Sequence, residues 1–288
     1  MRVVASALNP ADGKTLLGKV TFLHAKVFPL VVGWDVSGVV DKVGANVSSL
    51  QVGQEVFGFH AYSRITKSGA LAEFTVMPAS FLAPKPESVS HETAAASATA
   101  GITALQALRD CGHLRARQAA LVTGAKGGVG SVAIGVASRL GGVVDAVSSA
   151  SGMAFVRGLG ARTVFDRGNA GWQNEVKERY AVILDAAAGF GVVAFRKLLA
   201  PGGTYVTTLP SAAFVGGLLL SPLLRRRCKL VMVKPRRPDL EWLAEGMREG
   251  LQIPIAKVVP IREVATAITD FSKSTTQGKI VVRVDGGF

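Results

Sequence analysis

Apolar positions along this chain change their period about a third of the way in. Over residues 1–90 the apolar runs are short and rich in β-branched residues: Val3–Leu8, Val36–Val43 and Ala72–Val76. Turn signals at Asn9-Pro10, Val43-Gly44 and Val52-Gly53 separate them, and the pattern predicts a small, mostly β domain. From about Glu92 the pattern alternates. It predicts a helix over Glu92–Leu108, a strand over 119–124, a helix with Val129, Val132, Ala133, Val136, Ala137 and Leu140 on one face, and a strand over Gly142–Ser148. A helix through Met153–Leu159 follows, then strands at Arg162–Phe165, Ala181–Asp185, Thr204–Thr208 and Leu230–Val233. Such alternation argues for a parallel sheet with helices on both faces. Pro238 opens a helix with Leu240, Leu243, Ala244 and Met247 on one face and Gly250 as its stop; a short helix at Val264–Phe271 and a strand at Gly278–Val284 complete the chain.

The segment Ala119–Gly130 carries the most specific chemistry. An apolar strand runs into Ala125-Lys126-Gly127-Gly128-Val129-Gly130, and a helix begins at once. Ala125-x-Gly127-x-x-Gly130 is the dinucleotide fingerprint with Ala in its first position. Glycine lets the turn close, lets backbone N–H groups approach a pyrophosphate and lets the helix pack on the strand. The helix N-terminus adds unpaired N–H donors and a partial positive charge. A tight strand–helix connection without a ligand is the competing reading.

Composition narrows the classes. The 288 residues are 49% hydrophobic and 18% charged, a globular rather than a disordered balance. Cys111 and Cys228 cannot build a disulfide framework or a four-cysteine zinc site. The net charge of +13 favours an anionic cofactor, an anionic lipid or a nucleic acid. Most basic residues are dispersed; Arg225–Lys229 and Lys234–Arg237 are the two clusters, and a solvated face around a strand end accounts for them as well as a binding surface does. The longest apolar stretch, 213–224, contains Pro222 and is too short to span a bilayer, so a soluble intracellular protein is expected, its compartment (cytoplasm, plastid or mitochondrion) left open.

Several ordered motifs together resemble the medium-chain dehydrogenase/reductase superfamily, and within it the zinc-independent quinone oxidoreductases and alkenal (enone) reductases. They are Ala7–Lys14, Gly33–Gly38 with Val43-Gly44, Val52–Phe57, Gly69–Phe74, Ala100–Ala104, the fingerprint, Leu159–Ala161, Leu199–Gly203 and Gly278–Val281. The resemblance implies an α/β fold: a Rossmann doubly wound parallel sheet plus a GroES-like β-rich catalytic domain built from both chain ends. Boundaries follow at 1–95, 96–237 and 238–288. It also implies one to three strands ahead of the Asn-Pro-Ala-Asp motif, so the chain is expected to enter the pattern partway. A homodimer is the family expectation.

For the site, the resemblance implies that the Cys, His and Glu of zinc-dependent relatives fall at Asn9, Trp34 and Asp35. Asn and Trp do not replace a thiolate and an imidazole, and His24, His60, His91 and His113 lack metal-ligand spacing, so no metal is expected. Lys14 aligns with a proton-relay His of zinc relatives and is the first candidate for stabilising negative charge on a substrate oxygen or for holding the cofactor ribose. A surface Lys after a Pro turn is the alternative. Asn9 could donate its amide to a carbonyl or shape the turn before Pro10; Trp34 could wall a planar acceptor or fill the core. Asp12 is read as a cap or as orienting Lys14, and Asp35 as a structural pair.

NADPH is the expected cofactor. Thr103, in the Gly-x-Thr-Ala motif, lies against the nicotinamide half in relatives. Ser148 and Ser149 close the second strand where an NAD enzyme carries an acid, and Lys126 adds positive charge. Asp145 speaks for NAD if the strand register is wrong, and Arg157 is a weaker phosphate candidate. The expected reaction is hydride transfer to a small-molecule quinone or α,β-unsaturated carbonyl. A nucleotide-binding protein without turnover, and a basic protein docking on RNA or a membrane surface through Arg225–Arg237, are the alternatives; nucleic acid is not expected because stacking aromatics are few.

Overall fold

The computed structural model describes residues 1–18, 29–62, 67–220, 225–271 and 276–284. Of the sequence expectations, His24 and the 221–224 end of the longest apolar stretch lie outside them. The chain divides into two compact units: Met1–Ile102 with Lys234–Phe288, and Thr103–Val233. The first cut falls inside a helix, α2 (His91–Leu105), rather than at 95, because that helix runs on without a break.

The first unit is built on a six-stranded sheet of order β11-β12-β1-β2-β3-β4. Its strands are β1 (Arg2–Ala7), β2 (Asp35–Val39), β3 (Glu55–Phe59), β4 (Leu82–Pro84), β11 (Ile255–Pro260) and β12 (Lys279–Arg283). Both chain ends therefore share one sheet: β1 pairs antiparallel with β12 on one side and with β2 on the other. The 72–76 run is not a full strand; it is tied to the start of the chain by a single bridge, Arg2 to Phe74, and by the Val3–Glu73 and Met1–Thr75 backbone bonds. There the outward positions are apolar, Phe74 and Val76, and the inward one is Thr75, the reverse of what the apolar pattern predicts. A core of Val3, Leu8, Val36, Val56, Val259, Ile280 and Val282 fills one side of the sheet.

Helices α1 (Pro10–Leu16), α2, α7 (Arg237–Arg248) and α8 (Val264–Phe271) complete the first unit. Pro10 opens α1, where a missing N–H is no loss. In α7 the expected face, Leu240, Leu243, Ala244 and Met247, is buried. Leu243 lies so close to Gly101 of α2 that a Cβ there would sit 2.7 Å from its Cδ1. Each such leucine contributes roughly 1.5–3 kcal/mol by burial.

The second unit is an all-parallel sheet of order β10-β9-β8-β5-β6-β7. Its strands are β5 (Ala119–Thr123), β6 (Val143–Ser148), β7 (Thr163–Asp166), β8 (Tyr180–Asp185), β9 (Leu199–Thr207) and β10 (Arg227–Leu230). Central β5 and β8 are almost continuously apolar because helices cover both faces. The helices are α3 (Gly128–Arg139), α4 (Met153–Gly158), α5 (Val192–Phe195) and α6 (Ala212–Leu220). Trp172, Tyr180, Ile183, Phe195, Leu199 and Tyr205 lead its core. The last strand falls at Arg227–Leu230 rather than Leu230–Val233, since an edge strand keeps charged residues outward and buries only Cys228.

Candidate active site

In the first unit, the turn between β1 and α1 brings together a buried polar cluster. Asn9 is 7% exposed; its Nδ2 donates to Asp35 Oδ2 at 2.9 Å and to Ala7 O at 3.3 Å. Its Oδ1 accepts from Lys279 Nζ at 2.7 Å. Both amide hydrogens are thus committed inside the protein, which corrects the expectation that Asn9 donates to a substrate carbonyl. Lys279 Nζ also pairs with Asp35 Oδ2 at 2.9 Å, and Asp35 Oδ1 accepts the Thr99 N–H at 2.7 Å. Asp35 is structural, as expected, and its partner comes from the far end of the chain.

Asp12 caps α1 rather than orienting Lys14. Oδ2 accepts the Asn9 N–H at 2.7 Å and Oδ1 the Gly33 N–H at 3.0 Å. Burial, with Asp35 nearby, pushes its carboxyl up to about 7 against the pull of those two N–H donors and of Lys279. Lys14 sits in the same helix, half-buried, with no hydrogen-bond or ion-pair partner among the described residues. Trp34 is buried at 6% exposure, its ring 5.0 Å from that of Tyr62, so it is core packing that the structure shows for it. The Tyr62 phenol is held well above its ordinary value, first by burial and then by Asp35 and Asp12; Thr99 acts in the other direction.

In the second unit the glycine turn has the geometry the fingerprint demands. The left-handed residue is Gly124, at φ +65°, not Ala125, whose N–H instead donates to Val147 O. A Cβ on Gly130 would lie 2.3 Å from Gly124 O, so the third glycine cannot be replaced without moving the turn. Gly127 caps α3 without a side-chain bond, and Ser131 N is the first helical N–H to find an acceptor, Gly127 O. Gly128, Val129 and Gly130 therefore present their N–H groups beyond the helix end, where an anion binds.

At the end of β6 the two serines differ. Ser148 is 3% exposed and its Oγ is buried without a hydrogen bond, while Ser149 is half-buried, its Oγ 3.2 Å from Ser151 Oγ. Of the two expected phosphate contacts, Ser148 Oγ is thus covered and unpaired, whereas Ser149 is reachable from solvent. The Lys126 stem and Ser148 Oγ both crowd Gly152, placing Lys126 at this strand end, and the Arg167 N–H donates to Ser148 O, bringing an exposed Arg alongside.

Asp145 is third in β6 and buried, its carboxylate taken by Arg162 Nε at 2.9 Å, Arg162 Nη2 at 2.7 Å, the Thr163 N–H and the Tyr180 hydroxyl at 2.9 Å. Its carboxylate thus ties β6 to Thr163 of β7 and Tyr180 of β8. Thr103 is buried in α2, and Arg157 lies in the last turn of α4. Sequence reasoning missed Lys279 and Tyr62. A lysine opening an otherwise apolar strand was the signal for the first; Tyr62 gave none.

This pairing of a split β unit with a Rossmann-type parallel sheet and a phosphate-binding turn defines a nucleotide-dependent oxidoreductase scaffold. Residues 1–87 match the alcohol dehydrogenase GroES-like domain, and residues 159–282 match a family described as zinc-binding dehydrogenase. The chain is 34% identical to the human mitochondrial NAD(P)H oxidoreductase RTN4IP1, over 99% of its own length and 81% of that protein. It is 34% identical to 2-methylene-furan-3-one reductase of Solanum lycopersicum, over 83% of its length and 64% of the relative. The quinone oxidoreductase of Coxiella burnetii superposes with a TM-score of 0.88 at 25% identity, covering 98% of this chain and 89% of that one. The chain belongs to the medium-chain dehydrogenase/reductase superfamily, in its branch of quinone and alkenal oxidoreductases. No helix among the described residues is long and apolar enough to cross a membrane.

Proposed function

We propose that the protein is a zinc-independent, NADPH-dependent reductase of quinones or α,β-unsaturated carbonyls. The observation that carries the cofactor choice is the end of β6: Ser149, Ser151, Lys126 and Arg167 offer donors or positive charge to a 2′-phosphate, against the carboxylate of Asp166, which lies beside Ser148 and accepts the Gly168 N–H at 2.8 Å. Asp145, the one residue that argued for NAD, is consumed by Arg162 and Tyr180. The pyrophosphate fits the N–H groups of Gly128, Val129 and Gly130, while the lack of a side chain on Gly130 lets the helix start close on the backbone of Gly124 and Ala125.

A catalytic zinc does not fit. The amide of Asn9 and the indole of Trp34 supply no thiolate or imidazole, and Asp35 is already neutralised by Lys279. No group of three His, Cys, Asp or Glu residues able to hold a metal is present among the described residues. The bound cofactor supplies hydride. The chain must then stabilise negative charge as it develops on the acceptor oxygen. Lys14 is the cation of α1 not tied to an internal partner, and it is assigned that task. The names of the tomato and Coxiella relatives, an enone reductase and a quinone oxidoreductase, point to the two acceptor classes.

The test is NADPH oxidation by purified protein with a quinone and with a short enone, beside NADH, and the same with Lys14→Ala. Turnover that prefers NADPH and falls about 10²-fold in the variant is expected. NADPH binding without turnover on either acceptor sinks the reductase reading, and equal use of NADH sinks the cofactor assignment.

A further inference from the structure

From Ala186 to Val233, all within the second unit, the sequence contains no Asp or Glu and six Lys or Arg. This segment also carries the most unusual helix of the molecule. α6 reads Ala-Ala-Phe-Val-Gly-Gly-Leu-Leu-Leu, without one polar side chain. A surface helix ordinarily turns charged residues outward. Here Gly217 marks the inward side, since a Cβ on it would strike Val192 of α5 at 2.7 Å and approach Cys228 of β10 at 3.6 Å. The opposite side, at i, i+3 and i+7 spacing, is Ala212, Val215 and Leu219, flanked by Leu218. Leu219 is 78% exposed and Val215 54%.

The rim of this patch is cationic. α5 packs beside α6 and carries exposed Val193, followed by exposed Arg196 and Lys197. Arg225 and Arg226 lead directly into β10, the strand against which α6 packs. None of these four cations has a carboxylate partner among the described residues; Arg196 and Arg226 bond only to backbone carbonyls, of Val193 and Arg225.

We infer that this face docks on a bilayer surface carrying anionic phospholipid, with Val215, Leu218 and Leu219 entering the acyl boundary and Arg196, Lys197, Arg225 and Arg226 meeting the headgroups. The inference is independent of the reaction proposed above. Apolar side chains alone would fit any hydrophobic partner; four cations without a carboxylate partner, on the elements packed beside α6 in an acid-free segment, select a surface of negative charge. With nine residues α6 lies on such a surface and does not cross it.

Full-length protein is sedimented with vesicles of phosphatidylcholine alone and of phosphatidylcholine mixed with phosphatidylglycerol. Retention is expected on the mixed vesicles only, weakening as salt is added. The double variant Val215→Ser/Leu219→Ser is expected to lower partitioning by on the order of a hundredfold. Arg196→Gln/Lys197→Gln is expected to lower it by about fivefold per charge removed. Both should leave melting temperature and NADPH oxidation with a soluble acceptor unchanged. Absence of retention on anionic vesicles overturns the inference. So does a dimer that Val215→Ser/Leu219→Ser dissociates while vesicle binding stays nil, for then a second copy covers this face.

Discussion

The two units treat buried carboxylates in opposite ways. In the second unit each one is answered within the sheet. Asp185, at the end of β8, accepts the Thr123 hydroxyl at 2.7 Å, the Tyr205 hydroxyl at 2.8 Å and the Phe190 N–H at 2.9 Å. Asp145 has Arg162 and Tyr180. In the first unit two carboxyls, Asp12 and Asp35, share one buried ammonium, Lys279, and only Asp35 is in direct contact with it. The first arrangement locks a scaffold. The second leaves one carboxyl, Asp12, raised to about 7 near the Tyr62 phenol. Asp12 is bonded to backbone N–H groups alone among the described residues, so burial lifts its carboxyl toward neutrality.

Lys279→Met is the hardest blow to that contrast. The variant keeps the aliphatic stem but strands the Asp35 carboxylate and the Asn9 carbonyl in a core where both are almost unexposed. A loss of about 3–5 kcal/mol is expected in urea unfolding, because removing one partner leaves the other buried and uncompensated. Adding Asp35→Asn should recover part of it. A single-variant cost below about 1 kcal/mol would show that the cluster is not held by charge.

The next effect is one of pH, and two groups oppose each other in it. Asp12 titrates at about 7 in the folded protein against 3.8 unfolded, so the native state binds more protons between those values. Its contribution therefore falls as pH rises from about 4 to about 7. His60 is lowered from 6.5 to about 4 by burial, with Thr75 Oγ1 2.9 Å from its Nε2. It binds fewer protons when folded, so its contribution falls as pH drops from about 6.5 to about 4. Each slope amounts to a few kcal/mol at most. Wild-type stability is expected to be nearly flat over that range. Asp12→Asn should uncover a profile rising with pH, and His60→Gln one falling with pH. Unfolding of the three proteins at pH 4.5 and 6.5 reads this directly, and parallel profiles would break the assignment.

What was legible in sequence follows the same division. The second unit announced itself because its parts are local: the period of α3, the glycine turn and the β6 strand are each set within a dozen residues. The cluster of the first unit was not, because its members lie far apart in sequence. Asn9 and Asp35 were singled out by position, but the ammonium that claims them is 270 and 244 residues away. No local pattern predicts such a pairing. It also reversed the role given to Asn9, whose donors turned out to be occupied. The strand misplaced at Leu230–Val233 failed for another physical reason: apolarity was taken as the mark of a strand, whereas edge strand β10 shows outward Arg227 and Lys229.

Asp145→Asn sharpens the frame side of the comparison. It removes the charge that holds Arg162 and Tyr180, and since Arg162 is itself 41% exposed the cost should be about 1–3 kcal/mol, less than for Lys279. The ratio of NADPH to NADH use should not move. A swing toward either cofactor would return Asp145 to the ribose site, against the hydrogen bonds that now occupy it.

The smallest effect on stability is expected of Ser149→Asp, and it is the most exacting for the cofactor assignment. Ser149 is half-buried past the end of β6, its hydroxyl bonded to the Ser151 hydroxyl, so an acid there should change stability by less than about 0.5 kcal/mol. The charge it introduces stands beside Lys126, whose stem packs around Gly152 at the same strand end. A carboxylate in that place accepts ribose hydroxyls and repels a phosphate. The KM for NADPH should therefore rise by on the order of tenfold or more while NADH use holds or improves, with kcat little changed, because the change lies at the adenosine end. Were both cofactors weakened equally, the variant would have disturbed the turn as a whole. Were neither affected, the ribose would bind elsewhere, and the difference between the two strand ends, a free serine after β6 and a fully bonded carboxylate at the end of β8, would carry no specificity.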